Sequence, residues 1–181
     1  MKKKNGDWTI KDTKKIFGND FFKVFEDEVI RPDGKNGKYA TIHFPPGVSV
    51  LPVDDEGNVY ITRQFRYALG RKNLEAIAGG IEDEGVLEAA KRESREELGI
   101  EAGEWTYLGR IESDTGITTS KCHLYLARKL TFHKANSEGT EDIETVKMTL
   151  DEAVEKILNN EITHGQTCAL VLKAEKIISE Q

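Results

Sequence analysis

Gly79-Gly80-Ile81-Glu82-Asp83-Glu84-Gly85-Val86-Leu87-Glu88-Ala89-Ala90-Lys91-Arg92-Glu93-Ser94-Arg95-Glu96-Glu97-Leu98-Gly99-Ile100 is the stretch that decides how this chain of 181 residues folds. Leu87, Ala90, Ser94 and Leu98 recur at helical spacing and form a small-to-apolar inner stripe. The pattern predicts a helix over 86–98, and Gly99 stands where a left-handed cap is wanted. Glu93, Glu96 and Glu97 are spaced i, i+3, i+4, so at about 100° per residue they share one arc of the helix. Like charges so placed repel unless something positive sits between them. Two of them also occupy the last turn, where the helix dipole favours cations. Anions held where electrostatics disfavours them mark a candidate site, and hard divalent cations, Mg²⁺ above all, take oxygen ligands of this kind beside substrate phosphates. The competing reading is a solvated helix face on which Arg92 and Arg95 pair with the acids.

Working outward, residues 48–53 and 59–65 read as strands flanking Asp54-Asp55-Glu56-Gly57-Asn58, a hairpin-type connection. Further strands fit 105–111, 122–127 and 143–148, and two helices fit 150–159 and 167–178. Thr149, with Glu152 three residues on, makes a capping-box start. Strands mixed with helices at this spacing predict an α/β layered domain over 45–181. Residues 1–44 form a β-rich N-terminal part, with strands over 21–25 and 39–44 around a turn built from Pro32, Asp33 and Gly34. Two or three strands alone are marginal in water, so this part must pack on the rest of the chain or on another subunit.

Composition narrows the function classes. The chain carries 26 Lys and Arg against 32 Asp and Glu, a net charge of −6, and no basic stripe. That argues against a nucleic-acid partner. No apolar run is long enough to span a membrane, and no apolar stretch follows the basic start, so neither a membrane anchor nor a secretory signal is expected. Cys122 and Cys168 cannot make a disulfide framework, and a reducing cytoplasmic setting is the default. The four histidines show no metal spacing.

The segment resembles the Nudix box: Gly, five residues, Glu, seven residues, Arg-Glu, an aliphatic, any residue, Glu-Glu, any residue, Gly, an aliphatic. Gly79, Glu84, Arg92-Glu93, Glu96-Glu97 and Gly99-Ile100 fill it. Only four residues separate Gly79 from Glu84, and Ser94 replaces the aliphatic, which suggests a tight helix–sheet contact. The resemblance implies an α/β/α sandwich around a mixed sheet. It also implies hydrolysis of a nucleoside diphosphate linked to another group. By similarity Glu93 and Glu97 are the main metal ligands and Glu96 ligates directly or through water. The carbonyl of Ala78 adds a ligand, and Arg92 orients the acids. The implied ion is Mg²⁺, with Mn²⁺ as a substitute.

Outside the box, Arg63-Gln64-Phe65-Arg66-Tyr67 and Leu74-Glu75-Ala76-Ile77-Ala78-Gly79 resemble a stretch of the ADP-ribose and nucleotide-sugar pyrophosphatases, as does the strand-rich N-terminal part. The resemblance implies a homodimer, with Arg63, Arg66 and Glu75 at the substrate. Surface solvation is the alternative for each. The proline that ADP-ribose enzymes of this family carry about fifteen residues past the box is Thr115 here, which favours a nucleotide-sugar hydrolase of broad range; the Gly116 loop could still line the pocket. The general base implied is a loop glutamate before a late strand. Glu141 is the choice, with Glu138 and Glu144 as rivals. Trp8 either stacks on a nucleobase or anchors the terminus. A non-catalytic nucleotide-ligand sensor and an RNA-end pyrophosphohydrolase remain as alternatives.

Overall fold

The computed structural model describes residues 2–135 and 143–180. Its chain divides into two compact units, residues 1–46 with 112–121, and residues 47–111 with 122–181. The first unit therefore draws in a stretch that the sequence reading had assigned to the second part.

Strands β1 (Lys3–Asn5), β2 (Trp8–Gly18), β3 (Lys23–Ile30) and β4 (Asn36–His43) form an antiparallel meander in the first unit. Its turns are chemically specified. Asn19 Oδ1 accepts the N–H groups of Phe21 and Phe22 at 2.9 Å each, turning β2 into β3. Asp33 Oδ1 accepts from Lys35 N–H at 3.0 Å between β3 and β4. Residues 118 and 119 then run parallel to β4, opposite Ile42 and His43.

The second unit holds β5 (Gly47–Pro52), β6 (Asn58–Arg66), β7 (Arg71–Glu75), β8 (Ile77–Gly80) and α1 (Val86–Leu98). After these come β9 (Ile100–Ser113), β10 (Thr118–Phe132), β11 (Glu144–Thr149), α2 (Leu150–Leu158) and α3 (Gly165–Ser179). Within it β5 lies parallel to β10 and antiparallel to β8, while β6 lies antiparallel between β11 and β7. Side chains alternate across a strand. Val48, Val50, Tyr125 and Ala127 pack under α1 with Ala89, Ala90 and Leu98. Leu51, Leu124 and Leu126 face the opposite cluster, with Leu170, Val171 and Ala174 of α3. A strand buried on both faces reads as the near-continuous apolar run Val48-Ser49-Val50-Leu51-Pro52-Val53. The result is a mixed sheet between helices, the layering expected of the sequence. No helix among the described residues is long and apolar enough to cross a membrane.

One expectation needs correction. The 48–53 and 59–65 strands do not make a hairpin ladder. Asp54 Oδ1 does close the turn, accepting from Glu56 and Asn58 N–H at 3.0 and 2.8 Å. Beyond a single Val53–Val59 bridge, however, the strands diverge into different sheets. The polar segment around Trp8 is a long strand, β2, held by its ladder to β3 rather than by an apolar face. Helix α2 begins as expected, with Thr149 Oγ1 accepting from Glu152 N–H at 3.1 Å.

Helix α1 ends at Gly99, whose φ of 63° is left-handed and whose carbonyl accepts from His133 N–H at 2.7 Å. A Cβ there would overlap the His133 carbonyl. Gly99→Ala is expected to lower unfolding free energy by at least about 2 kcal/mol, combining left-handed strain with overpacking. Urea denaturation checks this, and a loss under about 0.5 kcal/mol, the range of a neutral surface change, would contradict it.

Candidate active site

Residues 75–80 form the backbone of the site, because side chains from four elements grip them in succession. The Glu75 carbonyl accepts from Thr62 Oγ1 at 3.0 Å, and the Ala76 N–H donates to Thr167 Oγ1 at 2.8 Å. The Ile77 carbonyl accepts from Ser49 Oγ at 2.9 Å. Then α1 takes over. Ala78 N–H donates to Glu97 Oε1 at 3.4 Å, and the Gly80 carbonyl accepts from Arg92 Nη2 at 2.9 Å. Between them Gly79 lies so close to the Glu93 carboxylate that a Cβ would overlap it. Glycine at 79 thus serves the close approach of the carboxylate rather than a special conformation.

Helix α1 can sit this close because its inner face is small. Ala89, Ala90, Ser94 and Leu98 are buried, and Ser94 Oγ donates to the Ala90 carbonyl at 2.8 Å, so its polar atom costs nothing unsatisfied. The acids crowd the next arc. Arg92 supplies the positive charge they need: Nη1 donates to Glu93 Oε1 at 2.8 Å and Glu96 Oε2 at 2.9 Å, and Nε donates to Glu84 Oε1 at 2.9 Å. The shortened loop thus keeps Glu84 in service as a partner of Arg92. Burial opposes the charge on Arg92, but its hydrogen bond to Glu84 and attraction to Glu93 and Glu96 hold its pKa above the ordinary value. Burial likewise dominates at Glu93 and pushes its carboxyl up, with Arg92 offsetting only part.

Among the described residues, no three Asp, Glu, His or Cys side chains already converge to hold an ion. Arg92 occupies the space between Glu93 and Glu96, and Glu97 is turned toward Ala78 with its Oε2 buried. The donor set nevertheless fits a hard divalent cation, being oxygen throughout and gathered beside one strand end.

Of the other sequence candidates, Arg63 and Arg66 face different partners. Arg63 Nη1 meets Glu144 Oε1 across β6 and β11 at 3.2 Å, with both side chains half exposed. Arg66 forks onto Glu75, Nε to Oε1 at 3.1 Å and Nη2 to Oε2 at 2.6 Å. Glu75 also accepts from Asn73 Nδ2 at 2.9 Å, and its side chain is only 4% exposed. Burial opposes its charge, yet the Arg66 and Asn73 hydrogen bonds and the charges of His164 and Arg66 hold its carboxyl below the usual range. His164 Nδ1 lies 3.7 Å from Glu75 Oε2 and 2.9 Å from Thr167 Oγ1, and burial lowers its pKa despite Glu75. Sequence reasoning missed Ser49, Thr62, Asn73, His164 and Thr167. No local pattern flags Ser49, Thr62, His164 and Thr167, because the partners that matter are distant in the chain, while Asn73 gains its role only through its neighbour Glu75.

Trp8 and Gly116 line one cavity of about 280 Å³ within the first unit, with Asp27, Tyr39, Thr41 and Thr118 among its walls. The Tyr39 ring meets Trp8 edge-on at 5.4 Å, and its hydroxyl donates to the Gly116 carbonyl. Thr115, at the position of the missing proline, also lines it. Glu138 and Glu141 lie outside the described residues, while Glu144 opens β11.

The NUDIX domain model matches residues 43–169. The chain belongs to the NUDIX family. It is 30% identical over 155 residues to an ADP-ribose pyrophosphatase of Bacillus subtilis, covering 84% of each chain. It is also 30% identical over 167 residues to a methanol dehydrogenase activator of Bacillus methanolicus, covering 90% of this chain and 89% of that one. A crystal structure of an ADP compounds hydrolase shares the fold, with a TM-score of 0.87 at 20% identity over 99% of this NUDIX chain and 98% of that one.

The pair that buried Glu75 makes with Arg66 has a signature in pH. A carboxyl whose folded pKa lies below its ordinary 4.5 stabilises the protein above that value and loses the contribution as pH falls through the folded pKa. The stability gap between wild type and Glu75→Gln is therefore expected to be widest near neutrality and to narrow toward about pH 3. Urea unfolding at both ends checks it, and a gap independent of pH would contradict it.

Proposed function

We propose that the protein is a Mg²⁺-dependent hydrolase of ADP-ribose or a nucleoside diphosphate sugar. Water adds across the P–O–P bridge, and the products are a nucleoside monophosphate and a sugar phosphate. The observation that carries this reading is the approach of Glu93 and Glu97 to the strand end at Ala78 and Gly79, with the box arginine between the acids. Glu93, Glu97, the Ala78 carbonyl and Glu96 are the ligands for the cation, with Mn²⁺ as a substitute. When bound, the ion supplies charge neutralisation on the diphosphate. Arg92 keeps the acids on their arc and yields Glu93 and Glu96 to the incoming charge.

The remaining roles are assignments. Arg66 presents a planar guanidinium suited to phosphate oxygens, and buried Glu75 holds that plane in orientation. Arg63, three residues earlier on β6 and paired with Glu144, is assigned as a second phosphate contact. The Trp8 cavity, aromatic on one side and lined by Asp27 and threonine hydroxyls on another, suits a nucleobase, with Gly116 at its rim. Glu141 is assigned as the general base, with Glu138 and Glu144 as the alternatives. The ion pair of Glu144 with Arg63 makes it the weaker of these. A homodimer in the cytoplasm is the form proposed to act.

The second reading is a nucleotide-ligand sensor that binds without cleaving; one relative is named as an activator of methanol dehydrogenase and not as a hydrolase. The two differ in a single experiment. Wild type with Mg²⁺ is offered ADP-ribose, GDP-mannose, UDP-glucose and dNTPs, and products are resolved. Cleavage of a diphosphate-linked substrate, stopped by chelation and at background in Glu97→Gln, supports the hydrolase. Tight binding without products supports the sensor. Glu141→Gln is expected to lower turnover by about 10²–10⁴-fold, the worth of a general base. Gly79→Ala is expected to fold normally, since only a flexible carboxylate must move, yet to lose on the order of 10²-fold in turnover from that displacement. Near-normal turnover in either variant would reassign the role.

A further inference from the structure

Ser49, Thr62 and Thr167 are fully buried, and each spends its hydroxyl on the backbone of consecutive residues, at Ile77, Glu75 and Ala76. A buried hydroxyl is tolerated only when its hydrogen bond is made, so the three bonds are obligatory parts of this core. Thr167 differs from the other two in what it holds. At Ala76 the chain leaves β7, in the sheet of β6, and enters β8, in the sheet of β5. Ala76 is a pivot between ladders, and its N–H is met by a side chain from α3.

The start of α3 touches this stretch at three successive places. Arg71 Nη2 donates to Thr163 Oγ1 at 3.1 Å, His164 Nδ1 stands near Glu75, and Thr167 takes the Ala76 N–H. Two residues past the pivot is Ala78, paired with Ser49 across β5 and β8, and then Gly79 against Glu93. A displacement at Ala76 is passed along β8 to the backbone that faces the acids. We propose that Thr167, backed by His164, is a positioning residue that fixes the Ala78–Gly79 segment against Glu93 and Glu97 and so presets the cation site. This rests on the hydrolase reading above only for its kinetic consequence.

Thr167→Val keeps the volume but leaves the Ala76 N–H without its acceptor, whereas Thr167→Ser keeps the hydroxyl. In the full chain, Mn²⁺ binding is titrated by electron paramagnetic resonance without substrate. Then kcat, KM and the melting temperature are measured. Thr167→Val is expected to weaken Mn²⁺ binding by about 10–100-fold, the scale of losses behind a metal's direct ligands, and to lower kcat with KM little changed. Thr167→Ser is expected to restore most of both. Should Thr167→Val not fold, His164→Ala, which removes the second partner of the hydroxyl together with its contact to Glu75, serves instead and is expected to weaken Mn²⁺ binding. Unchanged Mn²⁺ affinity in the variant that folds, or Thr167→Ser behaving like Thr167→Val, overturns the proposal. A wild type that binds Mn²⁺ but cleaves nothing contradicts the hydrolase reading, and the Mn²⁺ affinities then decide on Thr167. A wild type that binds no Mn²⁺ overturns both.

Discussion

Three carboxylates on one arc at the C-terminal end of α1 are the constraint on which the site depends. Their mutual repulsion and the helix dipole both work against them. In the structure the opposing charge is Arg92, which reaches Glu84, Glu93, Glu96 and the Gly80 carbonyl at once. One guanidinium thus links the loop before the helix, the helix and the strand. The same contacts leave an electrostatic opening. Glu93 is largely buried and its charge is only partly offset by Arg92, so a second cation near it answers a cost that the protein alone does not remove.

The surrounding architecture can be understood as a means of bringing that arc against residues 78–80. The inner face of α1 is Ala, Ala, Ser and Leu, which permits close approach, and Gly79 removes the last obstruction. Strands β5 and β10, apolar on both faces, hold α1 on one side and α3 on the other. Because α3 lies across that layer, its first turn can reach the pivot at Ala76 and connect the far side of the domain to the strand that meets the acids. Glu75, which holds the Arg66 guanidinium, lies on the same segment, so the Arg66 plane and the acids are placed by one backbone.

How much of this was legible in the sequence differs from residue to residue. The helix over 86–98 was readable to its ends, because its period, its glycine stop and its acidic arc are all local signals. The layering was readable from apolar runs such as 48–53. Strand β2 was not, because Lys11, Asp12, Thr13, Lys14 and Lys15 give it no apolar alternation and its order comes from pairing with β3. The hairpin expected around Asp54 failed because turn chemistry specifies the turn, not where the strands go afterwards. Strands β7 and β8 are short and interrupted at Ala76, so neither carries a period of its own. His164 and Thr167 acquire meaning only from Glu75 and Ala76, some ninety residues earlier. The motif glutamates fall on one face as expected, but their rotamers, drawn onto Arg92, follow from charge balance and not from spacing.

The most direct test of the acids as a cation site is a crystal structure with Mn²⁺ and a non-hydrolysable ADP-ribose analogue. Anomalous density is expected beside Glu93, Glu97 and the Ala78 carbonyl, with the diphosphate against it and Arg92 drawn off Glu93. Density for the diphosphate elsewhere, with Arg92 still clasping Glu93 and Glu96 and no ion beside them, would contradict a cation site there.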